Sequence, residues 1–160
     1  MKQIFESENI RFVEVSEALI PDYLAMVNDI EYVGRFFGGR REPFTEERER
    51  RWVRDRLAEK ALVFSMLEKN GGGFIGNIEL MDPTDAGGEL GIALTAAKQD
   101  RGLGTEAVSA MVKYGLERLG MRRIFLRTGS DNTRAIRVYE KCGFREYKRT
   151  EEQVFMEYVR

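Results

Sequence analysis

The residues best suited to chemistry lie in one short stretch, Gln99-Asp100-Arg101-Gly102-Leu103-Gly104-Thr105. It follows an apolar run at residues 90–94 and opens an amphipathic helix. Its two glycines remove the Cβ atoms that would keep a ligand away from the backbone. The first N–H groups of a helix lack internal partners and carry the positive end of its dipole. The stretch therefore predicts a site for the phosphate or diphosphate of a phosphorylated cofactor.

Two other nucleotide-binding motifs compete with this interpretation. A P-loop is excluded because no Gly-Lys-Ser/Thr follows the glycines. Gly102-Leu103-Gly104-Thr105-Glu106-Ala107 does match the dinucleotide fingerprint with alanine in its last place, so a nicotinamide-dependent oxidoreductase is an alternative. However, only about 56 residues follow, too few for the repeated βαβ halves. The acidic residue required about 20 positions further on is also missing, since the next predicted strand ends on Arg127.

The composition removes several classes of chemistry. The 160 residues contain no histidine, which excludes the Ser/His/Asp triad and nearly every zinc site, so no metal site is expected. Cys142 is the only cysteine, and at a predicted helix C-terminus it is interpreted as a small buried residue rather than a nucleophile. Lysine plus arginine number 26 and aspartate plus glutamate 27, so neither nucleic acid nor an anionic membrane is an expected partner.

The expected setting of the chain is the cytoplasm. A lone cysteine suits a reducing compartment. The first residues lack the apolar core of a signal peptide, and no apolar run approaches the roughly 20 residues that span a bilayer.

The elements that must position the chemical residues follow from hydrophobic periodicity. Strands are predicted near residues 10–15, 61–67, 74–81, 89–94, 123–127, 145–148 and 153–159, and helices near 21–28, 46–61, 105–119 and 133–142. Thr45 is expected to cap the second helix and Trp52, Val53 and Leu57 to be buried by it, whereas residues 36–39 are expected to form a loop. The pattern indicates one α+β domain over residues 1–160.

Two motifs together resemble the GNAT superfamily of acyl-CoA-dependent N-acetyltransferases. The signature Gln/Arg-x-x-Gly-x-Gly/Ala appears as Gln99, Gly102 and Gly104, and the second signature, N-x-x-A-x-x-x-Y-x-x-x-G-F, spans residues 132–144. Residues 74–80 (FIGNIEL) and 88–91 (GELG) are similar to the branch with ribosomal-protein N-terminal and spermidine N-acetyltransferases. The resemblance implies a mixed, mostly antiparallel sheet of six to seven strands, splayed at the cofactor site and flanked by about four helices.

The resemblance also implies catalytic roles. An amine of pKa near ~10.4 must lose its proton before it attacks, and without histidine a carboxylate, acting directly or through water, is the available base. The resemblance places the strands of Glu79 and Glu89 on the acceptor side; Glu89 is favoured as the base, and both could instead be solvated. Tyr139, seven residues beyond Asn132, has the spacing of the family's acid. A phenol of pKa near ~10 can donate to a thiolate of similar basicity, although a core aromatic is the alternative.

Acetyl-CoA is the implied co-substrate. The implied contacts are Ile92, Ala93, Leu94, Gln99, Asp100, Arg101, Gly102, Leu103, Gly104, Thr105, Asn132, Arg134 and Arg137. The backbone of residues 92–94 would pair with the pantetheine arm, one N–H facing the thioester carbonyl. Residues 99–105 would surround the diphosphate, and Asn132 would reach the pantetheine or its phosphate end. Arg134, Arg137 and Lys141 would meet the 3′-phosphate or remain solvated.

The implied reaction transfers an acetyl group from acetyl-CoA to a primary amine by direct attack, through a tetrahedral intermediate. The acceptor is a polyamine, a peptide N-terminus or an amino compound. Only Arg149-Thr150-Glu151-Glu152 joins the last two strands, a shorter connection than in the spermidine acetyltransferases, which leaves the acceptor cleft more open and weakens a polyamine assignment. A catalytically silent acetyl-CoA-binding regulatory module is the alternative from another class, and a homodimer is left open.

Overall fold

The computed structural model describes residues 1–33 and 42–160, so the predicted loop at residues 36–39 lies outside the described residues. The strands are β1 Gln3–Glu6, β2 Ile10–Glu14, β3 Leu62–Glu68, β4 Phe74–Met81, β5 Gly87–Leu94, β6 Arg123–Gly129, β7 Arg145–Arg149 and β8 Gln153–Val159. The helices are α1 Ile20–Val27, α2 Glu46–Ala58, α3 Leu103–Lys113 and α4 Thr133–Lys141. Within the described residues no helix is both long and apolar enough to span a membrane.

Within the described residues the strands form one sheet in the order β1-β2-β3-β4-β5-β6-β8-β7, in which only β5 and β6 pair in parallel. The predicted mixed, mostly antiparallel α+β class is confirmed. The prediction of six to seven strands was too low, because the sheet has eight. The missed strand is β1, four residues long, whose Gln3-Ile4-Phe5-Glu6 sequence is too short to show a clear alternation.

The sheet divides between β5 and β6. β4 and β5 pair from Gly76↔Leu94 to Met81↔Glu89, but β5 and β6 pair only over three positions, beginning at Gly87↔Arg123. Gly87 permits the close approach there, since a Cβ on this residue would lie 1.8 Å from the Arg123 carbonyl oxygen. The second half of β5 therefore has a neighbour on one side only, which is the expected splay.

Helices cover the two faces of the sheet in two separate hydrophobic cores. On one face, alternate strand residues such as Ile78 and Leu90 pack with residues of α3, including Val108 and Met111. On the other face, the buried residues from the strands and from the α1–α2 side are Val13, Val15, Leu19, Ile20, Tyr23, Val53, Val63 and Leu67. Since alternate residues of a strand point to opposite faces, each β4 and β5 position belongs to one of these two sides.

The predicted Thr45 cap is confirmed, and the structure shows which residue caps α4. The Thr45 side chain accepts a hydrogen bond from the Arg48 N–H at the start of α2, and the Asn132 side chain accepts one from the Ala135 N–H at the start of α4.

The prediction that α2 buries Leu57 was wrong, because this side chain is 43% exposed. Glu49 takes a buried position in the same helix instead, and burial raises the pKa of its carboxyl group.

Candidate active site

The second half of β5 offers backbone groups to the space where β5 and β6 diverge, which we call the gap. In a strand, the N–H and C=O of one residue point to the same side, and the side alternates along the chain. The Thr95 N–H donates to the Ile75 carbonyl on the β4 side, whereas the Leu94 carbonyl accepts from the Gln99 side chain at 3.0 Å. Leu94 and Ile92 therefore turn their N–H groups away from β4 and into the gap, and the Ala93 groups face β4. An extended ligand arm could add here as a strand does.

The start of α3 faces the same gap without a side-chain cap. Gly102 occupies the N-cap position with φ +80°, a left-handed conformation that favours glycine. Among the described residues no acceptor is found for the N–H groups of Leu103, Gly104 and Thr105, which lie in the first turn of the helix. Three free donors at a helix N-terminus fit the diphosphate of coenzyme A.

Arg134 ties this loop to the neighbouring helix α4. Its guanidinium donates to the Gln99 Oε1 atom at 2.6 Å and to the Asp100 Oδ2 atom at 3.1 Å. Asp100 has φ +58°, which an aspartate adopts at moderate cost. Arg101 lies elsewhere, with its guanidinium 3.6 Å from the Glu68 carboxylate. The Arg134 side chain thus contacts the loop before α3, whereas Arg101, which belongs to that loop, directs its own side chain to Glu68.

The pairing with Arg134 leads to a prediction about Asp100. The Asp100→Asn substitution removes a negative charge beside the diphosphate site and frees Arg134 for phosphate. We expect coenzyme A to bind about 3- to 10-fold more tightly to this variant and about 10-fold more weakly to Arg134→Gln. Asparagine accepts the left-handed conformation, so the loop should persist. Calorimetric titration with coenzyme A measures both effects, with Arg145→Gln on β7 as the control for charge loss; equal affinities in all variants would disprove the prediction.

Tyr139 lies inside α4, where it is 9% exposed and packs against Phe144 with ring centroids 6.0 Å apart. Burial raises its pKa to about 12. No hydrogen bond to its hydroxyl is found within residues 1–33 and 42–160. The C-terminal end of α4, which carries Tyr139, is held against the first turn of α3, because the Cys142 thiol donates to the Thr105 carbonyl at 3.5 Å. Burial raises the pKa of that thiol too, as expected for a cysteine that is not a nucleophile.

Glu79 and Glu89 lie on the same face of the sheet, that of α1 and α2. Glu79 pairs with Gly91 and Met81 pairs with Glu89, which makes the two glutamates diagonal neighbours. Burial raises the pKa of Glu79, an effect that the positive charge of Arg56 opposes and the negative charge of Glu89 reinforces. A Cβ at Gly91 would lie 3.5 Å from the Glu79 Oε1 atom, so the missing side chain leaves that carboxylate accessible.

The two glutamates differ in their partners. The Arg127 Nε atom lies 3.2 Å from the Glu89 Oε2 atom, in an ion pair across the β5–β6 pairing. Within the described part of the chain, no such ion pair is formed by Glu79. Because Glu79 forms no such ion pair among these residues and burial raises the pKa of its carboxyl group, this arrangement favours Glu79 over Glu89 as the base. From the sequence, Glu89 is favoured because it precedes the cofactor strand, and its ion pair with Arg127 appears only in the folded sheet.

The remaining predicted residues are not all brought together. Asn132 caps α4 and also donates to the Thr128 hydroxyl at 3.4 Å, so its side chain is partly engaged. Arg137 lines a surface depression of about 360 Å³ together with Arg149. Asn77 was missed as a candidate because an asparagine within an apolar strand carries no motif of its own. Its hydrogen bond to Ser65, at 2.8 Å, appears only once β3 and β4 are paired.

A splayed mixed sheet beside an uncapped helix start is the architecture of acetyltransferases of the GNAT class. Residues 9–145 match the acetyltransferase (GNAT) domain family. The chain belongs to this family, which confirms the resemblance and favours acyl transfer over the oxidoreductase alternative.

Known relatives agree with the branch that the sequence resembles, which contains ribosomal-protein N-terminal and spermidine N-acetyltransferases. The chain is 27% identical over 101 residues to a spermidine N(1)-acetyltransferase of Vibrio cholerae, a match that covers 62% of this chain and 57% of that protein. The chain thus matches little more than half the length of this curated relative.

Solved structures show the same fold. A protein of Vibrio cholerae described as a ribosomal-protein-serine acetyltransferase has a TM-score of 0.79 at 13% identity, over 100% of both chains. The spermidine N-acetyltransferase of Vibrio cholerae, in complex with CoA and spermine, has a TM-score of 0.76 at 16% identity, over 94% of this chain and 95% of that chain. At these identities the likeness concerns the fold alone.

Proposed function

We propose that this chain transfers the acetyl group of acetyl-CoA to a primary amine by direct attack. The observation that carries the proposal is the meeting of two sets of free backbone donors: those of Ile92 and Leu94 in the gap of the sheet, and those of residues 103–105 at the start of α3. The first set suits a pantetheine arm and the second a diphosphate. When bound, acetyl-CoA supplies an activated thioester. A backbone N–H in the gap would stabilise negative charge developing on its carbonyl oxygen.

We assign the two catalytic roles to two side chains. Glu79, accessible beside Gly91, would take a proton from the amine directly or through a water molecule. Tyr139 would donate a hydrogen bond to the sulfur as it leaves, since its raised pKa keeps the phenol protonated at neutral pH. Glu89, paired with Arg127, would contribute negative charge that attracts a cationic acceptor.

The assignment of Glu79 predicts a pH effect. A base must be deprotonated, and because burial raises the Glu79 pKa, activity should begin to fall at a pH above the usual glutamate value of 4.5. Glu79→Gln is expected to lower kcat/KM by about 100-fold and to abolish this acidic limb. The ratio of the parent kcat/KM to the Glu79→Gln kcat/KM at each pH cancels the ionisation of the amine itself. The matched Glu89→Gln variant should keep the limb; a limb that persists in Glu79→Gln would remove Glu79 from its role.

A free-thiol release assay with acetyl-CoA tests the proposed function. The acceptor panel should contain polyamines, amino acids, aminoglycosides and peptides with free N-termini. Thiol release with an amine, together with the acetylated product by mass spectrometry, supports the proposal. Coenzyme A binding without release for any amine would favour the silent regulatory module instead.

The same proposal covers the domain, the setting and the partners. We propose that residues 1–160 act as one acetyltransferase domain in the cytoplasm, without a metal ion, on a small-molecule or peptide amine, and we leave self-association into a homodimer to measurement. The turn between β7 and β8 comprises Thr150, Glu151 and Glu152, one residue fewer than the predicted connection of residues 149–152, because Arg149 belongs to β7. A short connection leaves the acceptor side open, which suits a peptide as well as a small amine.

A further inference from the structure

A buried chain of hydrogen bonds crosses from α1 to the middle of the sheet. The Ser16 N–H donates to the Tyr23 hydroxyl at 3.1 Å, and the Tyr23 and Ser65 hydroxyl oxygens lie 2.5 Å apart. The Ser65 hydroxyl then donates to the Asn77 Oδ1 atom at 2.8 Å. Tyr23 and Ser65 are 1% and 0% exposed, so water does not compete for these bonds.

This chain of bonds fixes the orientation of the Asn77 amide. The Tyr23 hydroxyl accepts from the Ser16 N–H, and within the described residues Ser65 is the acceptor found for the Tyr23 hydrogen. The Ser65 hydrogen is therefore directed at Asn77, whose Oδ1 atom accepts it, and all donors run toward Asn77. The amide nitrogen then lies on the side away from Ser65. Within residues 1–33 and 42–160 no acceptor is found for its two N–H groups. Asn77 is half-buried, so these donors are free to meet a ligand.

Asn77 lies beside the acceptor-side groups already described. It pairs with Ala93 of the gap strand, which offers only a methyl group on this face. Glu79 follows two residues later on the same face, about 7 Å further along the strand. A pair of N–H donors and a carboxylate thus stand side by side on the α1–α2 face of β4.

We propose that Asn77 selects the acceptor by binding an oxygen adjacent to the attacking amine, and this inference rests on the proposed function. The favoured acceptor is an α-amino carbonyl group, the N-terminal residue of a peptide, whose amine meets Glu79 while its carbonyl oxygen accepts from Asn77. A polyamine offers only donors when protonated, and these would oppose the Asn77 N–H groups and leave them unpaired.

The test is the ratio of kcat/KM for trialanine to kcat/KM for spermidine. In Asn77→Asp the side chain keeps its shape but loses both donors, and we expect the ratio to fall by about 10- to 100-fold. The added negative charge should also favour the cationic spermidine over trialanine, which moves the ratio in the same direction. Ser65→Ala keeps the Asn77 donors but frees the amide to rotate, so a smaller fall, about 3- to 10-fold, is expected. Asn70→Asp, in the exposed β3–β4 turn, is the matched control. A ratio cancels any loss of folded enzyme.

The outcomes separate this inference from the proposed function. A ratio that is unchanged in Asn77→Asp, or a parent protein that prefers spermidine, overturns the role of Asn77. If the parent releases no thiol with any amine, the role of Asn77 can still be tested by titrating trialanine into a mixture of the protein and coenzyme A. Binding that is lost in Asn77→Asp supports the inference while the proposed reaction fails, and equal binding to both proteins overturns it.

Discussion

Gly104→Asp is expected to weaken coenzyme A binding by at least about 100-fold while the protein stays folded. The aspartate would stand in the first turn of α3, where a negative charge stabilises a helix by about 0.3–1 kcal/mol. The same charge would face the diphosphate. At about 5 Å and an effective dielectric constant near 20, two unit charges repel by about 3 kcal/mol, or roughly 200-fold in affinity. Stability and binding should therefore change in opposite directions.

Calorimetric titration and thermal melting measure these two effects. Gly104→Ala is the matched control, because its Cβ would lie 3.3 Å from the Leu94 Cδ1 atom, at the end of a flexible side chain. We expect alanine to cost only a few-fold in affinity, in agreement with the Gly/Ala choice of the signature. Tight binding of coenzyme A to Gly104→Asp would show that the diphosphate does not lie at the start of α3.

Tyr139→Phe is expected to lower kcat by about 10²- to 10⁴-fold and to leave the affinity for coenzyme A near that of the parent. The substitution removes only a hydroxyl group, and the ring keeps its contact with Phe144. Steady-state thiol release gives kcat, and calorimetry gives the affinity. Tyr147→Phe, at a 45% exposed position on β7, is the control and should retain full activity.

The raised pKa of Tyr139 refines this expectation. The sequence suggested a phenol and a thiolate of similar basicity, but burial raises the pKa of Tyr139 to about 12, against about 8.5 for an ordinary thiol. Complete proton transfer is then uphill, so the hydroxyl would mainly stabilise the leaving sulfur by a hydrogen bond. Turnover in Tyr139→Phe equal to that of the parent would restrict Tyr139 to packing.

Much of the site is encoded locally in the sequence. Gln99, Gly102 and Gly104 lie within six residues, so their spacing alone predicted an uncapped helix start. The Thr45 cap was equally readable, because a cap and the N–H it satisfies are three residues apart. Strand and helix types follow from periods of 2 and 3.6, which are also properties of neighbouring residues. The four-residue strand β1 was missed because it spans too few positions to show a period.

The tertiary structure decided the relations between distant segments of the chain. Arg134 meets Asp100 across 34 positions, Arg127 neutralises Glu89 across the single parallel pairing, and Ser65 orients Asn77 across the β3–β4 register. Which carboxylate is accessible and which amide is fixed depend on register and splay, and a shift of one residue would reverse every face. The sequence by itself determined the family, the helix start and the candidate groups. Only the packed sheet decided which of these groups are paired and which face the gap, because ion pairs and hydrogen bonds depend on distances in space.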